Sequence, residues 1–343
     1  MRIILDIMSG DKAPLEMLTG AVNARAQEYS KGVDYVLVGD GNVIKRLAEE
    51  NKLDISGFEI RHTDTVLTME DDPMSVMKEK KDSSLATGLR MLADGEGDAF
   101  VSCGNTGALF CGSTLIVKRV KGIQRAAIGA ILPLKKPVML MDSGASVKVN
   151  EDYLHQFAIM GSAYMKAIYG VENPTVAMVN NGAEEHKGGE LQLAAYPKLK
   201  ESKYINFIGN VEGNQIPMGF CDVAVCDGFV GNIVLKSIEG MGNLLSGELK
   251  AMFKSGLGGI LAYLLMKKQM ANFKKKFDST EHGGAPILGL SKTVIKAHGS
   301  SNAKAFSNAI RQAVQCERQG ITQIIGEEAA RLSAEKKKMK DAE

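Results

Sequence analysis

The 343-residue chain carries 42 Lys and Arg against 40 Asp and Glu, so its net charge of +2 offers no global basic field for nucleic acid. It is long enough for one large α/β domain or two packed lobes with a core that needs no covalent staples. Its five cysteines, Cys103, Cys111, Cys221, Cys226 and Cys316, form no CxxC pair, which argues against a disulfide framework or a thiolate metal site and for a reducing, cytoplasmic setting.

In chain order, the opening MRIILDIM is an apolar run followed at once by SGDKAP, too short for a signal peptide, and no later run reaches the length of a membrane span. Nine short apolar or β-branched runs then read as strands: IILDIM, YVLVGD, FEIRH, AFVSC, AAIGAILPL, VMLMDSG, TVAMVNNG, NFIGNV and VAVCDG. Each ends in a polar, glycine-bearing turn and leads into a segment of helical period. Such alternation predicts a mostly parallel sheet with helices on both faces, and ligands in such sheets bind beyond the carboxyl ends of the strands. The tail EKKKMKDAE reads as a solvated terminus.

The residues just after the runs are Ser9-Gly10-Asp11, Gly39-Asp40-Gly41, Gly104-Asn105-Thr106-Gly107, Asp142-Ser143-Gly144, Asn180-Asn181-Gly182 and Asp227-Gly228-Phe229. Each alone is what any α/β protein places at turns and helix caps. Together they predict a rim of amides and small polar groups suited to an oxyanion such as phosphate. Gly39-Asp40-Gly41 lacks the third glycine of a dinucleotide fingerprint, and no GxxxxGK[ST] occurs.

In VSCGNTGAL, Cys103 has no histidine near it in sequence and reads as a small core residue. The following Gly104, Asn105, Thr106 and Gly107 are the better candidates. Lys80 and Lys81 precede Ser83 and Ser84 at a helix start, where they read either as an anion clamp or as a solvated lysine run with an ordinary cap. In NNGAEEHKGGE, Lys187 follows a strand end, where it reads either as one charge of an ordinary exposed loop or as a group able to reach a bound anion. In CDGFVGNIVLKSIEG, Asp227 ends a strand, Asn232 sits in the first turn of the next helix, either as a site residue or as a plain surface residue of that turn, and Lys236 lies one turn further on the same face.

Residues 249–277 hold seven lysines and no carboxylate, interleaved with Leu257, Ile260, Leu261, Leu264, Leu265 and Met266. Two helices hinged at Gly256, Gly258 and Gly259 would display these apolar groups, with Lys267 and Lys268, at an exposed tip. One reading packs that face on the core or a second subunit. The other rests it on an anionic bilayer or an acidic protein, each lysine near a membrane being worth about 1 kcal/mol.

KKDSS, GNTGAL, LMDSGA, QFAIMGSAY, NNGAEEHKGGE, GNVEG, CDVAVCDGFVGNIVLKSIEG, GGAPILGL and AHGSS, in that order, resemble the bacterial acyl-acyl-carrier-protein:phosphate acyltransferase family over nearly the whole chain. The resemblance implies transfer of a fatty acyl chain from acyl-carrier protein to inorganic phosphate for phospholipid synthesis. It implies a three-layer α/β/α fold, similar to phosphate acetyltransferases and isocitrate or isopropylmalate dehydrogenases, with a cleft between two lobes. These would be residues 1–140 with 285–343, and 141–284 with a helical hairpin at about 245–277. It further implies a homodimer, peripheral membrane association, and no metal or organic cofactor. Matched by position, Lys187 and Asn232 become the expected catalytic pair. The loops add the expected substrate contacts: phosphate, or the donor's own phosphate-bearing arm, on Gly104, Asn105, Thr106 and Gly107, with Lys80, Lys81 and Ser83 or Ser84 nearby and Asp142 and Asp227 beside the substrates. Two departures stand out: Ser9 in DIMSGDKAP, where the family usually has glycine, and Cys103, where it commonly has alanine and so needs no thiolate. The rival expectations are a nicotinamide-dependent dehydrogenase on the same fold and a non-enzymatic scaffold that docks acyl-carrier protein.

Overall fold

The structure, a computed structural model, describes residues 1–277 and 283–340. Its strands are β1 (Arg2–Asp6), β2 (Asp34–Gly39), β3 (Phe58–His62), β4 (Ala99–Ser102), β5 (Ala127–Pro133), β6 (Pro137–Met141), β7 (Thr175–Val179), β8 (Asn206–Val211), β9 (Val223–Val225), β10 (Ala285–Leu288) and β11 (Thr293–Lys296). The helices are α1 (Leu15–Arg25), α2 (Gly41–Glu50), α3 (Ser84–Ala93), α4 (Thr106–Gly112), α5 (Glu151–Tyr169), α6 (Glu190–Lys200), α7 (Gly228–Lys254), α8 (Leu257–Phe277), α9 (Ala303–Arg318) and α10 (Ile321–Lys340). All nine expected strands form. The nine runs do not include β10 and β11, four residues each and almost wholly buried.

One sheet contains every strand, in the order β3-β2-β1-β4-β11-β10-β5-β6-β9-β7-β8. Its central strands are buried on both faces, as successive side chains of β1 show, whereas the edge strands β3 and β8 are partly exposed. Ile3 and Leu5 join the core beneath α1, α5, α9 and α10, whereas Ile4 joins Val36 and Val38 beneath Leu85 and Leu89 of α3. A third cluster, around Val138, Leu140 and Ala224, packs against Val230, Val234 and Leu235 of α7. Helices on both faces thus give three layers.

Strand direction qualifies the expected single rim. Seven strand pairings are parallel, but β11–β10, β10–β5 and β5–β6 are antiparallel. Three reversals in succession leave the carboxyl ends of β1, β2, β4 and β11 on one edge and those of β6, β7, β8 and β9 on the other. The six loops therefore form two groups, and α7 connects them.

The hairpin also differs from expectation at its start. Its first arm is α7, which begins at Gly228 rather than near residue 245 and, at 27 residues, extends about 40 Å. Gly256 turns the chain at φ +90°, and α8 folds back with Tyr263 edge-on to Phe253 at 5.7 Å. Ile260, Leu261, Leu264, Leu265 and Met266 are exposed, Leu265 by 75 %, beside exposed Lys267 and Lys268. The side chains of Leu257 and of residues 271–277, three of the seven lysines included, lie outside the described residues, as does the end of the charged tail. Among the described residues no helix is long and apolar enough to cross a membrane.

Candidate active site

At the first edge, the β1 and β4 loops are held by a buried carboxylate. Asp6 accepts from the Ser102 hydroxyl at 2.6 Å and from the Met8 amide at 3.3 Å, and burial raises its pKa. Ser102 Oγ in turn accepts the Gly104 amide at 3.0 Å. A Cβ on Gly104 would stand 2.8 Å from Leu85 Cδ1 and 3.1 Å from Ser9 Cβ, so only glycine lets the two loops close on each other. Cys103 is wholly buried, with Sγ 3.1 Å from Met17 Sδ, and burial pushes its thiol up to about 12. It is a core residue and not a thiolate.

Two members of the expected anion clamp, Lys80 and Ser83, are already engaged with protein groups. Lys80 donates to the Val66 carbonyl at 2.8 Å and lies 3.6 Å from Asp71. Asn105 caps α4 through the Ala108 amide at 3.1 Å, and its NH2 donates to the Met69 and Asp71 carbonyls. Lys80 and Asn105 therefore hold the same 66–71 strap over the loop. Ser83 is buried as the cap of α3, Ser84 is buried beside Asp6, and Lys81 is exposed. Thr106 remains solvent-facing, while Gly107 packs against Pro73.

A second buried carboxylate organises the other edge. Asp142, expected to meet substrate, instead accepts the amides of Ile128, Gly144, Ala145 and Ser146 at 2.7–3.2 Å. Its pKa is raised by burial, against the pull of those amides. Asp142 is therefore a loop-holding group with no oxygen to spare. Asp227, also expected at the substrate, caps α7 through the Phe229 and Val230 amides at 2.9 and 3.0 Å. A Cβ at Gly231 would lie 1.9 Å from the Asp142 carbonyl, so α7 docks directly on this loop.

That docking leaves Asn232 exposed beside Gly144. Lys187 follows β7, the parallel neighbour of β9, from which α7 departs. The Lys187 loop is pinned by Asn180 to the Lys187 carbonyl at 3.0 Å and by Asn210 to the Glu184 carbonyl at 2.8 Å. Asn210 was missed in the sequence because it ends a strand far from the loop it braces. Among the described residues neither the Lys187 ammonium nor the Asn232 amide takes part in an ion pair or hydrogen bond within the fold, and both are exposed.

Between the edges lies a group that sequence reading did not assemble. Lys236 of α7 reaches His298, two residues beyond β11, with Nζ 3.3 Å from Nε2, and also pairs with Glu239 at 2.7 Å. Lys296, 8 % exposed, lies behind them, and burial lowers its pKa to about 8. Among the described residues no cluster of three or more His, Cys, Asp or Glu is placed to hold a metal ion.

With this geometry in view, residues 1–324 match the family described as "Fatty acid synthesis protein". The chain is 43 % identical over 317 residues to a phosphate acyltransferase of Clostridium botulinum (strain Langeland), covering 92 % of this chain and 94 % of that one. It is 45 % identical over 314 residues to the phosphate acyltransferase of Thermoanaerobacterium thermosaccharolyticum, covering 91 % and 92 %. The chain belongs to the phosphate acyltransferase family. It is accordingly an acyltransferase.

Solved structures agree on the fold of this family member. A phosphotransacetylase from Streptococcus pyogenes superposes with a TM-score of 0.59 at 16 % identity, covering 93 % of this chain and 94 % of that one. For a putative 4-hydroxythreonine-4-phosphate dehydrogenase from Salmonella typhimurium the values are 0.53 and 11 %, covering 92 % and 98 %. At such identities the likeness concerns architecture alone, and it is the architecture expected from the sequence.

Proposed function

We propose that the protein transfers a fatty acyl group from an acyl-carrier-protein thioester to inorganic phosphate, giving acyl phosphate for phospholipid synthesis. The observation that carries this reading is a contrast in side-chain commitment. Asp142, Asp227, Asn105, Ser83 and Lys80 are bound up in loop and cap bonds, whereas Lys187, on the loop after β7, and Asn232, near the start of the helix that follows the adjacent parallel strand β9, stand exposed.

A thioester is already activated, so catalysis consists chiefly of positioning two reactants and stabilising the oxyanion. A phosphate oxygen attacks the thioester carbonyl carbon, and the carbonyl π electrons move to oxygen. The resulting oxyanion receives the Asn232 amide, while Lys187 neutralises phosphate or oxyanion charge. Collapse breaks the C–S bond, and the carrier thiolate takes a proton from phosphate or water. No covalent enzyme intermediate is needed, consistent with the buried, protonated thiol of Cys103.

Incubation with acyl-carrier-protein thioester, with and without inorganic phosphate, tests the proposal through release of free thiol. Phosphate-dependent release is the expected result. Carrier binding without phosphate-dependent release would overturn the proposed donor and acceptor.

The reading extends to architecture and location. The two lobes, 1–140 with 285–343 and 141–284, would close on the substrates, and two chains would form a homodimer. The exposed leucines of α8 with Lys267 and Lys268 would rest on an anionic membrane, because apolar burial and lysine attraction add there. Flotation with vesicles containing anionic lipid checks this: a Leu261→Glu, Leu265→Glu double variant is expected to lose at least tenfold in bound fraction. Equal flotation by both proteins would show that the hairpin serves another partner.

A further inference from the structure

His298 presents a fixed proton pattern. The backbone amide of Ser300 points at its Nδ1 at 3.2 Å, with the Ser300 hydroxyl at 2.9 Å. A backbone N–H can only donate, so Nδ1 accepts and a neutral ring carries its proton on Nε2. His298 is exposed, and partial desolvation against its neighbours, reinforced by Lys236, lowers its pKa and favours the neutral ring. The Nε2–H then faces the Lys236 ammonium at 3.3 Å, donor against donor. Two donors cannot satisfy one another, whereas an oxyanion between them satisfies both.

The surroundings suit an anion of that kind. Glu239 occupies one direction of the Lys236 ammonium, leaving its other donors available. Lys296 contributes positive potential from behind, and Asp11 is the other carboxylate that acts on His298. Lys236 comes from α7, the helix that carries Asn232, whereas His298 follows β11 on the opposite edge of the sheet.

We propose that Lys236 and His298 form a two-sided clamp for a phosphoryl oxyanion, one jaw from each group of loops, so that the bound anion draws the β11 loop and α7 together beside Asn232. The clamp rests on the proposed acyl transfer and moves the phosphoryl site from the 104–107 loop to the junction of the two edges. Inorganic phosphate and the phosphodiester of a carrier protein's prosthetic arm share the required chemistry.

The test measures KM for inorganic phosphate and for the acyl-carrier-protein thioester in Lys236→Gln, His298→Gln and the double variant, with calorimetric titration of inorganic phosphate alone. Each single change is expected to raise one of the two KM values at least tenfold, with a smaller effect on kcat. Because both groups grip one anion, the double variant should cost less than the product of the singles. A rise confined to phosphate assigns the clamp to the acceptor, and a rise confined to the thioester assigns it to the donor arm. Unchanged KM values for both, or fully multiplicative effects, would overturn the clamp. Phosphate binding that depends on these residues in a protein without thiol release would uphold the clamp while removing the proposed reaction. Lys236→Arg guards against misfolding, since it keeps the charge and should restore much of the affinity.

Discussion

Replacing Asn232 with alanine is expected to lower kcat for phosphate-dependent thiol release by about 10²–10³-fold, the usual cost of removing one oxyanion donor. Lys187→Ala should fall in the same range. Neither change should unfold the protein, because both side chains are exposed and neither supports a loop through a bond of its own side chain. Gly144 lies against Asn232, with 3.6 Å from its virtual Cβ to Asn232 Oδ1, so truncation at Asn232 widens an open surface rather than emptying a core. Steady-state kinetics with circular dichroism on each variant checks the expectation. Full activity in either folded variant would remove that residue from the mechanism.

Lys296→Met should make the protein more stable and a poorer enzyme. The folded-state pKa of Lys296 is about 8, well below its ordinary value of 10.5, because burial disfavours the ammonium. Below pH 8 both folded and unfolded chains hold the proton, and the folded chain carries a penalty of about 3 kcal/mol. Between pH 8 and 10.5 the unfolded chain binds more protons, so stability rises with pH and the penalty fades. Methionine carries no such penalty. The variant is therefore expected to gain up to about 3 kcal/mol at pH 7, with the gain shrinking towards pH 10.5. Because the lysine contributes positive charge beneath the Lys236–His298 junction, turnover should fall about tenfold. Denaturant titrations at pH 7 and pH 10 measure the first effect, and kinetics the second. A Met variant less stable than the parent at pH 7 would show that the ammonium's bond to the Ala297 carbonyl outweighs its desolvation.

Much of this organisation was legible in the sequence for reasons specific to particular residues. The strands announced themselves because runs such as YVLVGD and TVAMVNNG pair β-branched cores with glycine-bearing ends. Asp40, Asn105 and Asp227 were recognisable as helix-start residues, and capping is what they do. Their second reading, as substrate contacts, was indistinguishable from capping in one dimension, because the same oxygen that caps a helix could face a ligand. Asp142 shows the same ambiguity: nothing in LMDSGA reveals that four amides close on its carboxylate.

The sequence by itself determined the α/β class, the positions of nine strands, the family, and the Lys187 and Asn232 candidates, since these depend on local period and on ordered motifs along the chain. Tertiary structure alone decided how the loops group, because the direction of a strand end depends on its partners. Three antiparallel pairings around β10 and β5, two of them involving a strand outside the nine expected runs, divide the carboxyl ends between two edges. The meeting of Lys236 with His298, 62 residues apart, likewise follows from the path of α7 across the fold and from no spacing along the chain.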